Sequence, residues 1–412
     1  MLSAMLGPII REGTLTILAP GPRLYTFGSG EPALTVRLHD RRAVMRLALN
    51  PNLAFGELYM DGRLTVENGD IRDLLELLAR NVAENSRAGL YWLTWAPRVL
   101  WRALFQFNPA RLARKHVAHH YDLSAKLYDL FLDKDRQYSC AYFADPSFTL
   151  EEAQTAKKRH IAAKLNLDRP GLKILDIGCG WGGLSLDLAR EGSADVVGVT
   201  LSEEQLAAAR ERAARTGLSH NVRFGLTDYR AVDGQFDRIV SVGMFEHVGA
   251  PHYDTFFAKM RSLLKDDGVA LLHTIGRTDG PGATNAWIAK YIFPGGYAPA
   301  LSEIIPAIER NGLIVTDVEV LRLHYAHTLR EWQKRFQACR ADIAKLYDER
   351  FCRMWEFYLA GSEMAFLHDR EVVYQIQIAK RINALPITRD YMFEREHVLQ
   401  SAGKIAHIDR AA

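Results

Sequence analysis

The stretch LKILDI, Leu172 to Ile177, runs directly into GCGWGG, Gly178 to Gly183, and then into LSLDLA, Leu184 to Ala189. The first six residues are mostly aliphatic, lack Gly and Pro, and predict a short buried strand. The last six predict the opening of a helix. A glycine-rich turn at the C-terminal end of a strand lets backbone come close to a ligand, and the next helix offers free N–H groups. The glycine spacing is G-x-G-x-G rather than the G-x-G-x-x-G of dinucleotide sites, and Asp176 stands just ahead of it. A carboxylate there suits a ligand that carries positive charge better than a pyrophosphate.

Outward from this turn the pattern stays α/β. Asp195–Thr200, Val222–Gly225, Phe236–Val242, Gly268–His273, Leu313–Leu321 and Val372–Ile378 read as further strands, with helical segments between them. The expected fold class is therefore a Rossmann-like sheet of seven strands. Ligands of such sheets bind beyond the C-terminal strand ends. That rule brings Thr200, Leu201, Ser202 and Gln205 after the second strand into view, then Asp228 and Tyr229, then Glu246, then His273 and Ile275. Arg277–Arg310 and Thr328–Leu367 interrupt the order with helical, aromatic-rich segments, read as insertions over the strand ends that form an apolar tunnel or part of a plain helical core.

The first 85 residues alternate β-like runs (Thr14–Leu18, Leu34–Leu38, Ala43–Leu49) with turns, including Asp40-Arg41-Arg42, and close on a helix over Ile71–Ala83. A small α+β domain is expected. From Arg87 to Ala118 there is no acidic residue. Arg87, Arg98, Arg102, Arg111, Arg114 and Lys115 interleave with Tyr91, Trp92, Trp95, Trp101, Phe105 and Phe107. An interfacial segment on anionic lipid needs this composition, and a packed amphipathic linker with snorkelling arginines fits it equally. The expected division is 1–85, 86–118, 119–385 for the α/β domain with its insertions, and a C-terminal tail 386–412.

At about 150 residues per domain, 412 residues allow two or three domains, or one large domain with an appendage. A formal charge of +3 and 48% hydrophobic residues exclude a disordered chain and a dedicated nucleic-acid binder. Cys140, Cys179, Cys339 and Cys352 show neither C-x-x-C spacing nor the density of a disulfide framework, so a reducing cytoplasm is expected. No metal site is expected either; His119-His120 near Asp122 lacks further ligands at matching spacing. No apolar run reaches the roughly 20 residues of a membrane-spanning helix. The apolar N-terminus has no basic region ahead of it and reads poorly as a signal peptide.

The segment LDIGCGWG resembles motif I of class I S-adenosylmethionine (SAM) methyltransferases. With it stand His119-His-Tyr-Asp-Leu-Ser124, Gln137-Tyr-Ser-Cys-Ala-Tyr-Phe143, Ser241-Val-Gly-Met-Phe-Glu-His-Val-Gly249, His273-Thr-Ile275, Tyr291-Ile-Phe-Pro-Gly-Gly296 and His324-Tyr-Ala-His-Thr-Leu329. In this order they resemble the cyclopropane-fatty-acyl-phospholipid synthases, which add a methylene bridge across the cis double bond of a lipid acyl chain. Phe55-Gly-Glu-Leu-Tyr-Met-Asp61 resembles the N-terminal region of the longer bacterial members.

The resemblance implies a SAM cosubstrate held by Tyr138, Ser139, Asp176, Gly178, Gly180, Trp181, Gly182, Thr200, Leu201, Ser202, Gln205, Asp228 and Tyr229. It also implies a bicarbonate ion, acting as base, at Cys140, Glu246, His273, Ile275 and Tyr325. An anion beside a developing carbocation stabilises charge where it appears. An unsaturated phospholipid substrate, a homodimer and peripheral attachment to the inner face of the membrane are implied as well. Two other outcomes stay open at this level: methyl transfer that ends in a methyl-branched or methylene lipid, and a lipid-binding protein without activity.

Overall fold

The computed structural model describes residues 9–84 and 125–408. The basic aromatic stretch at 86–118 and His119-His120 lie outside them. By packing, the chain divides into two compact units. One comprises the N-terminal residues with Gly282–Pro294 and Ala326–Glu371; the other comprises the segment up to Pro281, Gly295–Tyr325 and the chain from Val372 on.

In the first unit, β1 (Gly13–Ala19), β2 (Arg23–Ser29), β3 (Ala33–Leu38) and β4 (Leu64–Val66) form a sheet in the order β2-β1-β3-β4. Alternation places Leu15 and Ile17 of β1, and Leu34, Val36 and Leu38 of β3, in its core. Ala43–Leu49, expected as a strand, belongs instead to a helix, Arg41–Leu49. The expected turn residue Asp40 is its cap, accepting from the Ala43 N–H (2.9 Å), and Ala43 and Leu47, one helical turn apart, are the buried pair. A second helix, Pro51–Met60, follows at once.

The segments expected as insertions of the catalytic domain pack with these N-terminal helices. Glu349–His368 lies on Pro51–Met60 and on Ile71–Glu84, and Ala286–Tyr291 also lies on Pro51–Met60. The reason is visible at Gly56, where an added Cβ would lie 2.5 Å from the Trp287 indole nitrogen. Fully buried Glu363 binds the Arg72 guanidinium through two bonds (2.9 and 3.0 Å) and Arg330 through one (2.8 Å). A buried carboxylate is tolerable only when paired in this way.

In the second unit, β5 (Lys173–Ile177), β6 (Asp195–Thr200), β7 (Val222–Leu226), β8 (Phe236–Val242), β9 (Leu264–Arg277), β10 (Ile314–Val320) and β11 (Glu371–Ala379) form one sheet in the order β10-β11-β9-β8-β5-β6-β7. All seven expected strands are present. The chain winds from β5 out to β7 and returns to β8 on the other side, so the order reverses between β5 and β8. Neighbouring residues enter separate apolar clusters, Ile174, Val240 and Leu271 in one and Leu175, Ile239 and Leu272 in the other, as a sheet covered on both faces requires. Truncating any one of them to Ala costs about 2–5 kcal/mol. Among the described residues no helix is long and apolar enough to cross a membrane.

Candidate functional site: a cofactor cavity beside a buried carboxyl–histidine pair

The cavity of the second unit opens where the strand order reverses, as the rule for such sheets demands. The glycine turn forms its floor. Gly178 adopts φ +83°, and a Cβ there would lie 2.8 Å from the Met244 Cβ, so side chains are excluded by conformation and by space. Of the residues expected to hold the cofactor, Tyr138, Ser139, Asp176, Gly178, Gly180, Trp181, Thr200, Leu201, Gln205, Asp228 and Tyr229 line the cavity.

Two expected residues do not line it. Gly182, at φ +82°, caps the helix Gly183–Gly192, and its Cβ position is occupied by Phe224 at 2.7 Å. The Ser202 hydroxyl accepts from the Gln205 N–H and caps the helix Glu203–Arg215. Both shape the wall from behind.

The walls are held by polar contacts. Ser185 donates to buried Asp176 (2.7 Å), whose carboxyl is pushed up to about 6 by burial. Thr200 donates to Gln205 Oε1 (2.8 Å). Buried Lys157 donates to Gln137 Oε1 (2.6 Å) and Ser139 Oγ (2.8 Å), fixing two lining residues of one loop; burial brings its ammonium down to about 8. The Arg230 guanidinium grips Asp228 through two bonds (2.8 and 2.7 Å) and lies 5.5 Å from the Tyr229 ring centre.

Sequence reasoning missed Arg136, Gln137, Thr227, Arg230, Met244 and His247 as cavity residues. The strand-end rule, applied to the whole segment after β8 rather than to Glu246 alone, would have found Met244 and His247. Arg136 enters through a positive φ of 54°, for which the sequence carries no signal.

None of the second group of expected residues lines this cavity; Glu246 follows the end of β8, and His273 and Ile275 lie near the end of β9. Met244, His247 and Val248 line it, while Glu246 between them is buried. Its Oε1 accepts from the Ile275 N–H (2.6 Å), and its buried Oε2 has no hydrogen-bond partner among the described residues. The Thr274 hydroxyl donates to the Ile275 carbonyl (3.0 Å). Burial pushes the Glu246 carboxyl up to about 7, against the opposing effect of the Ile275 N–H. His273, two residues before Ile275 on β9, is buried too. Burial, and then the Lys157 and Lys164 cations, hold it well below the usual histidine range, so it is neutral. The structure thus brings Glu246, His273 and Ile275 together at adjacent strand ends, joined also by the Gly243 N–H donating to the His273 carbonyl (2.9 Å).

Cys140 is buried with its thiol donating to the Ala141 carbonyl (3.3 Å). Tyr325 is buried at the start of the helix His324–Ala338. Their two segments are tied by the Phe143 N–H donating to His324 Nδ1 (3.0 Å) and by Tyr142 stacked on His324 at 4.8 Å. The other face of the contact is His160, stacked on Tyr142 at 4.1 Å and bonded to Glu319 (2.7 Å) and Glu396 (3.1 Å).

This geometry has counterparts in known proteins. Residues 109–376 match the family described as mycolic acid cyclopropane synthetase, and residues 23–87 match a domain family of unknown function. The chain is 42% identical over 289 residues to a probable fatty acid methyltransferase of Pseudomonas putida, covering 67% of this chain and 73% of that protein. It is 38% identical over 362 residues to the cyclopropane-fatty-acyl-phospholipid synthase of Escherichia coli K12, covering 88% and 92%. Among solved structures, the mycolic acid cyclopropane synthase CmaA1 complexed with SAH and CTAB superposes with a TM-score of 0.62 at 35% identity, over 66% of this chain and 99% of that one. With the family match spanning most of the chain, a near full-length relative and a methyltransferase sheet carrying its cavity at the strand reversal, the chain belongs to the mycolic acid cyclopropane synthetase family and is a SAM-dependent methyltransferase of the cyclopropane synthase type.

Proposed function

We propose that this cyclopropane synthase takes an unsaturated phospholipid as its substrate and closes the ring with the help of a bicarbonate ion held by Cys140, Glu246, His273, Ile275 and Tyr325. The observation that carries this reading is the position of Glu246: its turn contributes Met244, His247 and Val248 to the cofactor cavity while its own carboxyl is buried with His273 and the Ile275 N–H. SAM, as cosubstrate, supplies an electrophilic methyl group, which an isolated alkene attacks only where charge is stabilised and water excluded.

The residues fit bicarbonate. That ion carries one hydroxyl and several acceptor oxygens; Glu246 Oε2, which has no hydrogen-bond partner among the described residues, would accept from the hydroxyl, and the neutral His273 would donate to an oxygen. When bound, bicarbonate supplies a base and a negative charge close to the reacting carbon. Glu246 holds the ion in place through a carboxyl that changes protonation near neutral pH. Cys140 contributes position rather than nucleophilicity, its thiol being buried and turned to a carbonyl.

The test is mass spectrometry of lipids from a host that expresses the chain. Gain of CH2, loss of the double bond and resistance to hydrogenation are expected. The Pseudomonas relative, named a probable fatty acid methyltransferase, favours a second reading in which transfer ends in a methyl branch. A saturated methyl branch or a surviving double bond in the product establishes that reading and removes ring closure.

The acid-free stretch 86–118 supports attachment to an anionic lipid surface. Neutralising Arg98, Arg102, Arg111, Arg114 and Lys115 is expected to reduce co-sedimentation with anionic vesicles, and unchanged co-sedimentation assigns the stretch to a linker. A homodimer is part of the same reading, and sedimentation velocity tests it.

A further inference from the structure

Beneath β11 runs a buried polar chain that the reaction as described does not use. Gln375 and Gln377, two residues apart on β11, are fully buried on one face. Gln377 donates to the Lys164 carbonyl (2.5 Å) and to the Tyr391 hydroxyl (2.7 Å), and its own oxygen accepts from Thr316 (2.8 Å). This fixes the end of the helix Leu150–Lys164, whose last residue turns its ammonium inward. Lys164 Nζ donates to Gln375 Oε1 (2.8 Å) and pairs with Glu319. The other end of the Gln375 amide meets His273 Nδ1 at 3.1 Å.

The hydrogen-bond directions along this chain admit one assignment. An ammonium only donates, so the Gln375 atom facing Lys164 is the oxygen, and the atom facing His273 is the NH2 group. An NH2 group only donates, so His273 Nδ1 must accept through its lone pair. The ring proton is then on Nε2. Protonating Nδ1 to make an imidazolium would set two donors against each other and discard the bond to Gln375. A buried polar residue on a strand is costly unless it is satisfied, and the Gln375 amide is satisfied at both ends, by Lys164 at its oxygen and by His273 at its nitrogen.

We propose that Gln375 and Lys164 are positioning residues that lock His273 in the neutral tautomer protonated at Nε2, so that in the reaction the ring acts only as a hydrogen-bond donor and never as the base. The inference rests on the reading above that His273 belongs to the anion site. It deepens that reading by removing His273 from the candidates for proton abstraction, since neither ring nitrogen retains an available lone pair. The same arrangement offers an anion a fixed neutral donor whose strength does not vary across the neutral pH range.

The tautomer is read directly from long-range proton–nitrogen correlation spectra of the full-length enzyme labelled with 15N at histidine, with His273 assigned by its loss in His273→Gln. The expected wild-type spectrum shows a protonated Nε2 and an unprotonated Nδ1 between about pH 6 and 8. Gln375→Glu, which turns an acceptor toward Nδ1, is expected to move the proton to Nδ1 or to charge the ring. Turnover should fall about tenfold or more, with SAM affinity within about twofold of wild type. Lys164→Met, which frees the Gln375 amide to rotate, is expected to give a mixture of tautomers. A wild-type ring protonated at Nδ1, or a Gln375→Glu enzyme that keeps the Nε2 proton and full turnover, overturns the lock. If the tautomer is as stated but His273→Gln keeps full turnover, the lock stands and the place of His273 in the anion site falls.

Discussion

The cofactor cavity and the buried carboxyl–histidine pair lie side by side in the second unit, yet they are built in opposite ways. The cavity is centred on a backbone feature, a strand end and a turn with Gly178 and Gly180 at positive φ leading into a helix, and is completed by residues of the segments 136–139, 199–205, 227–230 and 242–248. The pair is made of side chains from separate segments, with Glu246, His273, Gln375 and Lys164 each held by a partner remote in the chain. The turn at the centre of the cavity admits no side chain at Gly178, whatever its chemistry. A site made of side chains depends on each of them.

That contrast is sharpest in Glu246→Gln. Turnover is expected to fall about 100-fold or more, the scale of one electrostatic partner in a water-excluded site, while SAM titration gives wild-type affinity. Loss of SAM binding together with turnover would make the two sites one.

The same carboxyl gives a stability effect. Its folded pKa is raised to about 7 from an ordinary 4.5, so the folded state holds the proton more tightly than the unfolded one. Its contribution is full below about pH 4.5 and is lost as pH rises through 7. Glu246→Gln, which cannot ionise, is expected to gain up to about 3 kcal/mol over wild type at pH 8, with the gap closing toward pH 4.5. Chemical denaturation at the two pH values reads it, and a gap that is constant with pH would show an unperturbed carboxyl.

On the cavity side, Gly178→Ala strains a positive φ and drives a methyl group against Met244. A stability loss of about 1–3 kcal/mol and about tenfold weaker SAM binding are expected by calorimetry, with less effect on the tautomer of His273. The smallest effect is Ser202→Ala. As a helix cap its removal costs about 1 kcal/mol in denaturant unfolding and leaves SAM affinity unchanged. A large affinity loss would return Ser202 to the binding residues.

The contrast also explains what the sequence made legible. Strand, turn and helix around Asp176 follow one another in the chain, so local pattern was enough for the sheet and its glycine turn, while the other cavity residues came from the strand-end rule and, for Tyr138 and Ser139, from the family resemblance. Glu246, His273 and Ile275 were found because strand ends converge at a known edge. Gln375 and Lys164 were not found, because they lie 211 residues apart and a glutamine in a strand announces no partner. Ala43–Leu49 was misread for a related reason. Its apolar run satisfies strand and helix alike, and the choice is made by the Asp40 cap and by the neighbours that bury Ala43 and Leu47.

The division of the chain into units bears on how the protein is made. The first unit takes its sheet from the beginning of the sequence but completes its core with a helix ending at His368, after most of the second unit has been synthesised. During translation Arg72 therefore waits nearly three hundred residues for Glu363, while the helices Pro51–Met60 and Ile71–Glu84 leave the ribosome without the helix that packs on them. No single cut in the chain separates the two units intact, so a truncation at either end yields one incomplete body rather than one finished domain. In such an interleaved chain, exchange of the front portion between relatives succeeds only when the late helices travel with it.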